Sequence, residues 1–283
     1  KRVAARQLKT LLVRCDQSGG CVWQLYIKDR LPEIITDTEA AKLPAQGGEI
    51  IYSDPRSPAS RITERLALFG NTTLTDTILG IPFRYACEGF FQINIPVYEQ
   101  ALRDMQEWVS RESSYWQLGH HQKIIRDPHK VAQIFSEVPL AADQPILDFY
   151  AGVGTIGLTI GGGNVTLVEI NTDAVREMQR NITELDRTDA RAVLAPSEQA
   201  LDYITGKEIV IVDPPRAGLH PDVIVTLLQQ LPPRIIYLSC NPVTQARDVA
   251  LLQQSYRIIH HRGYNFFPRT PHIEHLIILD KKP

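Results

Sequence analysis

Hydrophobic positions fall into short runs of two kinds along the chain. In residues 1–88 the runs are brief and broken by turn residues. Thr10–Cys15 and Cys21–Ile27 flank Asp16-Gln17-Ser18-Gly19-Gly20, a pattern that predicts two strands joined as a hairpin. Pro32, Pro44, Gly47-Gly48, Pro55 and Pro58 keep the following elements short, so residues 1–88 read as a small β-rich (α+β) domain. From Pro96 the spacing changes. Val97 to Trp108 carries apolar residues at helical intervals, and the polar stretch 111–129 reads as a loop-rich insertion. Beyond Pro145, apolar runs at 146–149, 165–168, 209–212, 234–238, 256–259 and 275–279 alternate with helical segments. Continuous apolar strands separated by helices predict a parallel sheet covered on both faces, placed here within residues 89–283.

Composition narrows the class without naming a function. The 283 residues are 43% hydrophobic and 22% charged, as in an ordinary globular protein. A net charge of -2, from 30 Lys+Arg against 32 Asp+Glu, excludes a strongly basic nucleic-acid binder but not a local basic face. Lys1, Arg2, Arg6, Lys9 and Arg14 precede the first acid, Asp16, and form one such patch. No apolar run approaches a membrane span and no signal-peptide pattern opens the chain. Four cysteines without a C-x-x-C pair suggest neither a disulfide scaffold nor a zinc ribbon, and reduced cytoplasmic thiols are expected.

The candidate chemistry lies at predicted strand ends. Ile146 to Leu158 is strand, loop and helix, with Gly152, Gly154 and Gly157 matching G-x-G-x-x-G. The next strand ends in Glu169, where an acid holds ribose hydroxyls in dinucleotide sites. This signal fits nicotinamide and S-adenosylmethionine sites equally. A third strand runs into Asp213-Pro214-Pro215-Arg216-Ala217-Gly218, which aims Asp213 at the same crevice. The paired prolines stiffen the exit and remove two donors, which suits a slot for a planar base. A fourth strand delivers Cys240-Asn241-Pro242, where a thiol can reach a cleft. Glu274 precedes the closing apolar run and is a candidate general base within a basic segment holding Arg262, Arg269, His260, His261, His272 and His275.

Taken together, these segments resemble the S-adenosylmethionine-dependent RNA uracil-5 methyltransferases. The matching pieces are Phe90-Phe91-Gln92-Ile93-Asn94, Asp148-Phe149-Tyr150-Ala151-Gly152-Val153-Gly154, Val168-Glu169, Asp213 to Gly218, Ser239-Cys240-Asn241-Pro242 and His272-Ile273-Glu274, in the family's order. The resemblance implies a Rossmann-like, doubly wound class I methyltransferase sheet behind a smaller β-rich domain of the family's central RNA-recognition type. It implies that Gln92, Tyr150, Gly152, Gly154, Thr155, Glu169 and Asp213 hold S-adenosylmethionine. It implies that Cys240 is the nucleophile and Glu274 the proton acceptor, with Asp213 beside them. No metal is expected. The partner it implies is tRNA or rRNA, with no membrane and no obligate protein partner. Phe266 and Phe267 read equally as base-stacking platforms or as core.

The chain departs from the family in two respects. It has no oligonucleotide-binding barrel before the hairpin, and Gly19-Gly20-Cys21 only echoes an iron–sulfur signature whose other cysteines are missing. An amino-group methyltransferase would also use a D-P-P loop, but it would leave Cys240 and Glu274 idle. A nicotinamide oxidoreductase would give no work to Asp213 or Cys240.

Overall fold

The computed structural model describes residues 4–110 and 144–283, so the polar stretch 111–129, Lys1 and Arg2 lie outside the described residues. The chain divides into two compact units, Lys1–Phe90 and Phe91–Pro283.

The first unit comprises β1 (Leu8–Cys15), β2 (Cys21–Ile27), α1 (Asp37–Ala40), β3 (Gly47–Tyr52), β4 (Glu64–Gly70), β5 (Thr73–Ile78) and β6 (Ile81–Ala86). Strands β1 to β4 form one sheet in chain order, and β5 and β6 pair separately. Alternation along β2 sends Trp23 and Gln24 to opposite faces. Trp23 joins Ile27, Ala40 and Ile50 in an apolar core and stacks on Phe69 at 5.6 Å. The Gln24 amide donates to Glu49 (2.7 Å) and Glu88 (2.6 Å), and Arg65 bridges the same two carboxylates. The β1–β2 hairpin forms as its sequence predicts, but its cysteines are not reduced. Register places Cys15 opposite Cys21, with Cα atoms 4.1 Å apart, and the two are joined as a disulfide. Sequence spacing alone does not reveal this pairing, because it depends on where the turn folds back. Two cations of the expected basic patch are engaged internally. Lys9 Nζ donates to Ser53 Oγ and to the carbonyls of Asp54 and Ser57, and Arg14 donates to the Gly89 carbonyl.

The second unit comprises α2 (Ile95–Ser110), β7 (Ile146–Phe149), α3 (Thr155–Ile160), β8 (Val165–Glu169), α4 (Thr172–Glu184), β9 (Ala190–Leu194), β10 (Ile209–Val212), α5 (Pro221–Gln230), β11 (Arg234–Ser239), α6 (Pro242–Leu252), β12 (Tyr256–Tyr264) and β13 (Glu274–Lys281). The sheet order is β12-β13-β11-β10-β7-β8-β9. Every residue of β7, β10 and β11 is buried, which explains their unbroken apolar sequences. Helix starts are built locally. Asn171 caps α4, while His220 and Asn241 cap α5 and α6, each of which opens on a proline.

Two expectations about this sheet are corrected. It is mixed, not parallel, because β13 runs antiparallel to both β11 and β12. No helix separates β12 from β13, so no parallel crossover is available there. The register of β13 on β11 is pinned by a buried ion pair, with Arg234 Nε 2.6 Å from Asp280 Oδ1. The second correction is β9, absent from the predicted strands. It is an edge strand, half-exposed, and its Ala-Arg-Ala-Val-Leu sequence is not continuously apolar.

Candidate functional site

The chain order turns back between β7 and β10, which are adjacent and parallel. Loops leaving neighbouring strands diverge at such a point and open a crevice beyond the carboxyl ends. Of the sequence-predicted residues, Tyr150, Gly152, Gly154 and Asp213 lie in the loops after β7 and β10, Glu169 ends β8, Cys240 follows β11 and Glu274 opens β13.

The glycine loop leaves β7 through Tyr150, a non-glycine residue at φ 64°, and reaches Gly154 at φ 89°, just before α3. Such backbone at consecutive turns marks a constrained loop. Two acids fix it from either side. Glu169, at the end of β8, accepts from the Gly152 amide (3.0 Å) with one oxygen and from the Asn171 amide (2.7 Å) with the other. Each carboxylate oxygen retains a further lone pair, so the ribose role expected of Glu169 is compatible with this capping. Asp148, inside β7, accepts from the Gly157 amide (2.9 Å) through Oδ2, while its buried Oδ1 has no hydrogen-bond partner. Tyr150 accepts from the Ser197 hydroxyl at 2.7 Å. The Thr155 hydroxyl meets the Tyr98 phenol at 2.8 Å, and Gln92, just ahead of α2, is buried.

The loops after β10 and β11 are locked to each other and to α6. The Arg216 carbonyl accepts from Asn241 Nδ2 (2.9 Å) and Thr244 Oγ1 (3.1 Å), and the Ala217 carbonyl accepts from Arg247 (2.9 Å). Buried Asp248 accepts from the Leu219 amide and the Tyr237 hydroxyl, both at 2.8 Å. Gly218 sits at φ 83°, and a Cβ there would lie 2.5 Å from Asp248 Oδ2, so this lock requires glycine.

This scaffold brings Asp213, Cys240 and Glu274 within electrostatic reach of one another. Burial pushes the Glu274 carboxyl up to about 8, with Asp213 adding to the shift and Arg216 opposing it. Burial raises Asp213 to about 7. Burial also raises the half-buried Cys240 thiol, reinforced by Glu274 and Asp213 and countered by Arg216. These are the environments in which acids and nucleophiles are tuned for chemistry. Cys87 is the contrast. It is fully buried, donates weakly to the Val22 carbonyl, and burial, reinforced by Glu88 and Glu49 and countered by Arg14, carries its thiol up to about 11.

The flanking histidines sit differently. Glu274 is buried and His272 exposed, and His275 faces away from Glu274 along β13 to bond Gln245 Oε1 at 2.7 Å. Phe266 is core, 1% exposed and edge-on to Tyr98, which settles its alternative reading, while Phe267 is half-buried. Sequence reasoning assigned no role to Tyr98, Asp148 or Arg216. An acid within the apolar run Ile-Leu-Asp-Phe was the available signal for Asp148. Tyr98 carried none, since an aromatic at helical spacing reads as packing. Beside the glycine loop, an open groove of about 790 Å³ is lined by Tyr150, Ser197, Pro215, Leu219 and Ile224, among others.

Comparison with known proteins agrees with this geometry. A family model described as tRNA (Uracil-5-)-methyltransferase matches residues 200–282. The chain is 36% identical, over 60% of its length, to a tRNA (uracil(54)-C(5))-methyltransferase of Pyrococcus abyssi, of which the match covers 40%. It is 27% identical, over 90% of its length, to an uncharacterized RNA methyltransferase of Enterococcus faecalis, of which the match covers 49%. The matched part thus spans less than half the length of these curated relatives. The crystal structure of a Pyrococcus abyssi tRNA (uracil-54, C5)-methyltransferase in complex with S-adenosyl-L-homocysteine superposes with a TM-score of 0.75 at 25% identity, covering 96% of this chain and 59% of that one. A tRNA m1G37 methyltransferase from M. jannaschii, 12% identical with a TM-score of 0.52 over 99% of this chain and 77% of that one, shares the fold alone. The Rossmann-like methyltransferase sheet with a β-rich unit before it is therefore the fold of this chain.

Proposed function

We propose that this chain, which belongs to the RNA uracil-5 methyltransferase family, methylates carbon 5 of a uridine in tRNA or rRNA, with S-adenosylmethionine as methyl donor. The observation that carries the reading is the meeting of a thiol, a raised carboxyl and a second acid at three strand ends. The amino-group alternative has no use for that combination. The family model and the Pyrococcus abyssi relative favour tRNA over rRNA.

The residues present suit the donor. Glu169 has acceptor capacity for ribose hydroxyls and Asp148 offers an unpartnered buried oxygen, and Gln92, Tyr150, Gly152, Gly154, Thr155 and Asp213 complete the set we assign to the cofactor. When bound, the cofactor supplies an electrophilic methyl group. The protein makes carbon 5 able to accept it. The Cys240 thiolate adds to carbon 6 of uracil, and the electron pair of the ring double bond moves onto carbon 5 and the adjoining carbonyl. After methylation, Glu274 takes the carbon 5 proton. The carbon 5–carbon 6 double bond re-forms as the bond to Cys240 breaks and the thiolate leaves. The base must leave its stack for this to occur.

A tRNA transcript carrying 5-fluorouridine tests the reading, because fluorine at carbon 5 cannot be removed as a proton. The wild-type protein with S-adenosylmethionine should form an adduct that survives a denaturing gel, and Cys240→Ala should form none. An adduct that persists in Cys240→Ala, or 5-methyluridine produced by that variant, contradicts the covalent route.

A further inference from the structure

Asp148 is fully buried in β7, and the mechanism above gives it no proton to move. One oxygen is committed to the Gly157 amide, and the other has no hydrogen-bond partner. An unsatisfied carboxyl oxygen in a buried site is costly and calls for a ligand or a proton. Titratable groups act on Asp148 from three neighbouring parts of the fold. They are Asp213 from the loop after β10, Glu169 from β8 and the Tyr98 phenol from α2, all acids. Burial, opposed by the Gly157 amide and reinforced by Asp213 and Glu169, carries the Asp148 carboxyl up to about 8. Arg216 acts on Cys240 and Glu274.

Methyl transfer changes the charge of the cofactor, from a sulfonium cation to a neutral thioether. We infer that Asp148 is the residue by which this site tells the two apart, binding S-adenosylmethionine as a carboxylate and S-adenosylhomocysteine as a neutral acid. The inference rests on the cofactor reading above. A cation lowers the proton affinity of a nearby carboxyl. Binding of the sulfonium therefore releases a proton, and its affinity rises with pH, whereas the thioether lacks that gain. The product is then the weaker competitor at high pH, and Asp148 acts as a specificity-determining residue without touching the uridine.

Calorimetric titration of the whole chain with each ligand at pH 6.5, 7.5 and 8.5 tests this. A single linked proton changes an affinity by at most about tenfold per pH unit. The affinity ratio of S-adenosylmethionine to S-adenosylhomocysteine should rise at least about fivefold across that range. Repeating the titration at pH 7.5 in buffers of different ionisation heat should show more proton release for the sulfonium. Asp148→Asn keeps an acceptor for the Gly157 amide but not the charge, so its ratio should stay flat. A purely structural role would weaken both ligands alike and leave the rise in place. Equal pH dependence for the two wild-type titrations, or a wild-type rise in Asp148→Asn, overturns the inference while leaving the cofactor reading intact. Failure of either ligand to bind the wild-type protein overturns the cofactor reading itself.

Discussion

Glu274 holds its proton near neutral pH because burial and the Asp213 charge both favour the neutral form. A base works only when ionised, so the sign of its pH dependence is fixed. Turnover should rise as pH passes upward through about 8, and the raised Cys240 thiol pushes in the same direction. The kcat/KM profile, which reports the free enzyme, is the measurement, and a profile that falls over pH 7 to 9 contradicts it. Glu274→Gln should lower turnover about 100- to 10,000-fold and accumulate a methylated Cys240 adduct on ordinary uridine. Adduct trapping by His272→Ala, with normal turnover in Glu274→Gln, reassigns the base. The thiol, the glutamate and the glycine loop were readable from their strand-end motifs. Tyr98 was not, because its significance is burial beside acids from other elements, which no local window contains, and Asp148 showed locally only as an acid within an apolar run.

At the scale of elements, sequence period specified strand positions but not direction. The runs at 146–149 and 209–212 match β7 and β10 residue for residue. The antiparallel setting of β13 escaped, since an apolar strand buried on both faces reads the same either way. β9 escaped because an edge strand carries only half the apolar signal. The β1–β2 hairpin was legible from its turn, yet its disulfide was not. Closing so short a loop restricts the unfolded chain modestly, by about 2 kcal/mol. Dithiothreitol should therefore lower the denaturation midpoint of the first unit, and Cys15→Ser with Cys21→Ser should reproduce the shift. Chemical denaturation followed by Trp23 fluorescence reads this, and a midpoint indifferent to reductant contradicts it.

For the molecule as a whole, the acidic crevice ties stability to pH. Asp148, Asp213 and Glu274 have folded-state values of about 8, about 7 and about 8, all above the unfolded values near 4. The folded state thus binds more protons than the unfolded one over that interval. Stability from these groups is complete below the unfolded values and is lost as pH climbs through the folded ones. Calorimetric Tm of the cofactor-free protein should fall from pH 6 to pH 9, and Asp148→Asn should flatten the decline; a rising Tm contradicts this. The position of β13 carries a different consequence, for biosynthesis. It follows β12 in the chain yet lies between β12 and β11 in the sheet. As a ribosome delivers the polypeptide from its N-terminal side, β12 emerges before the strand that bonds it to β11 exists. The same late strand brings Glu274. A nascent chain stalled before residue 274 therefore has a gap in its sheet and lacks Glu274, the proton acceptor proposed above, so on that proposal structural closure and chemical competence arrive together.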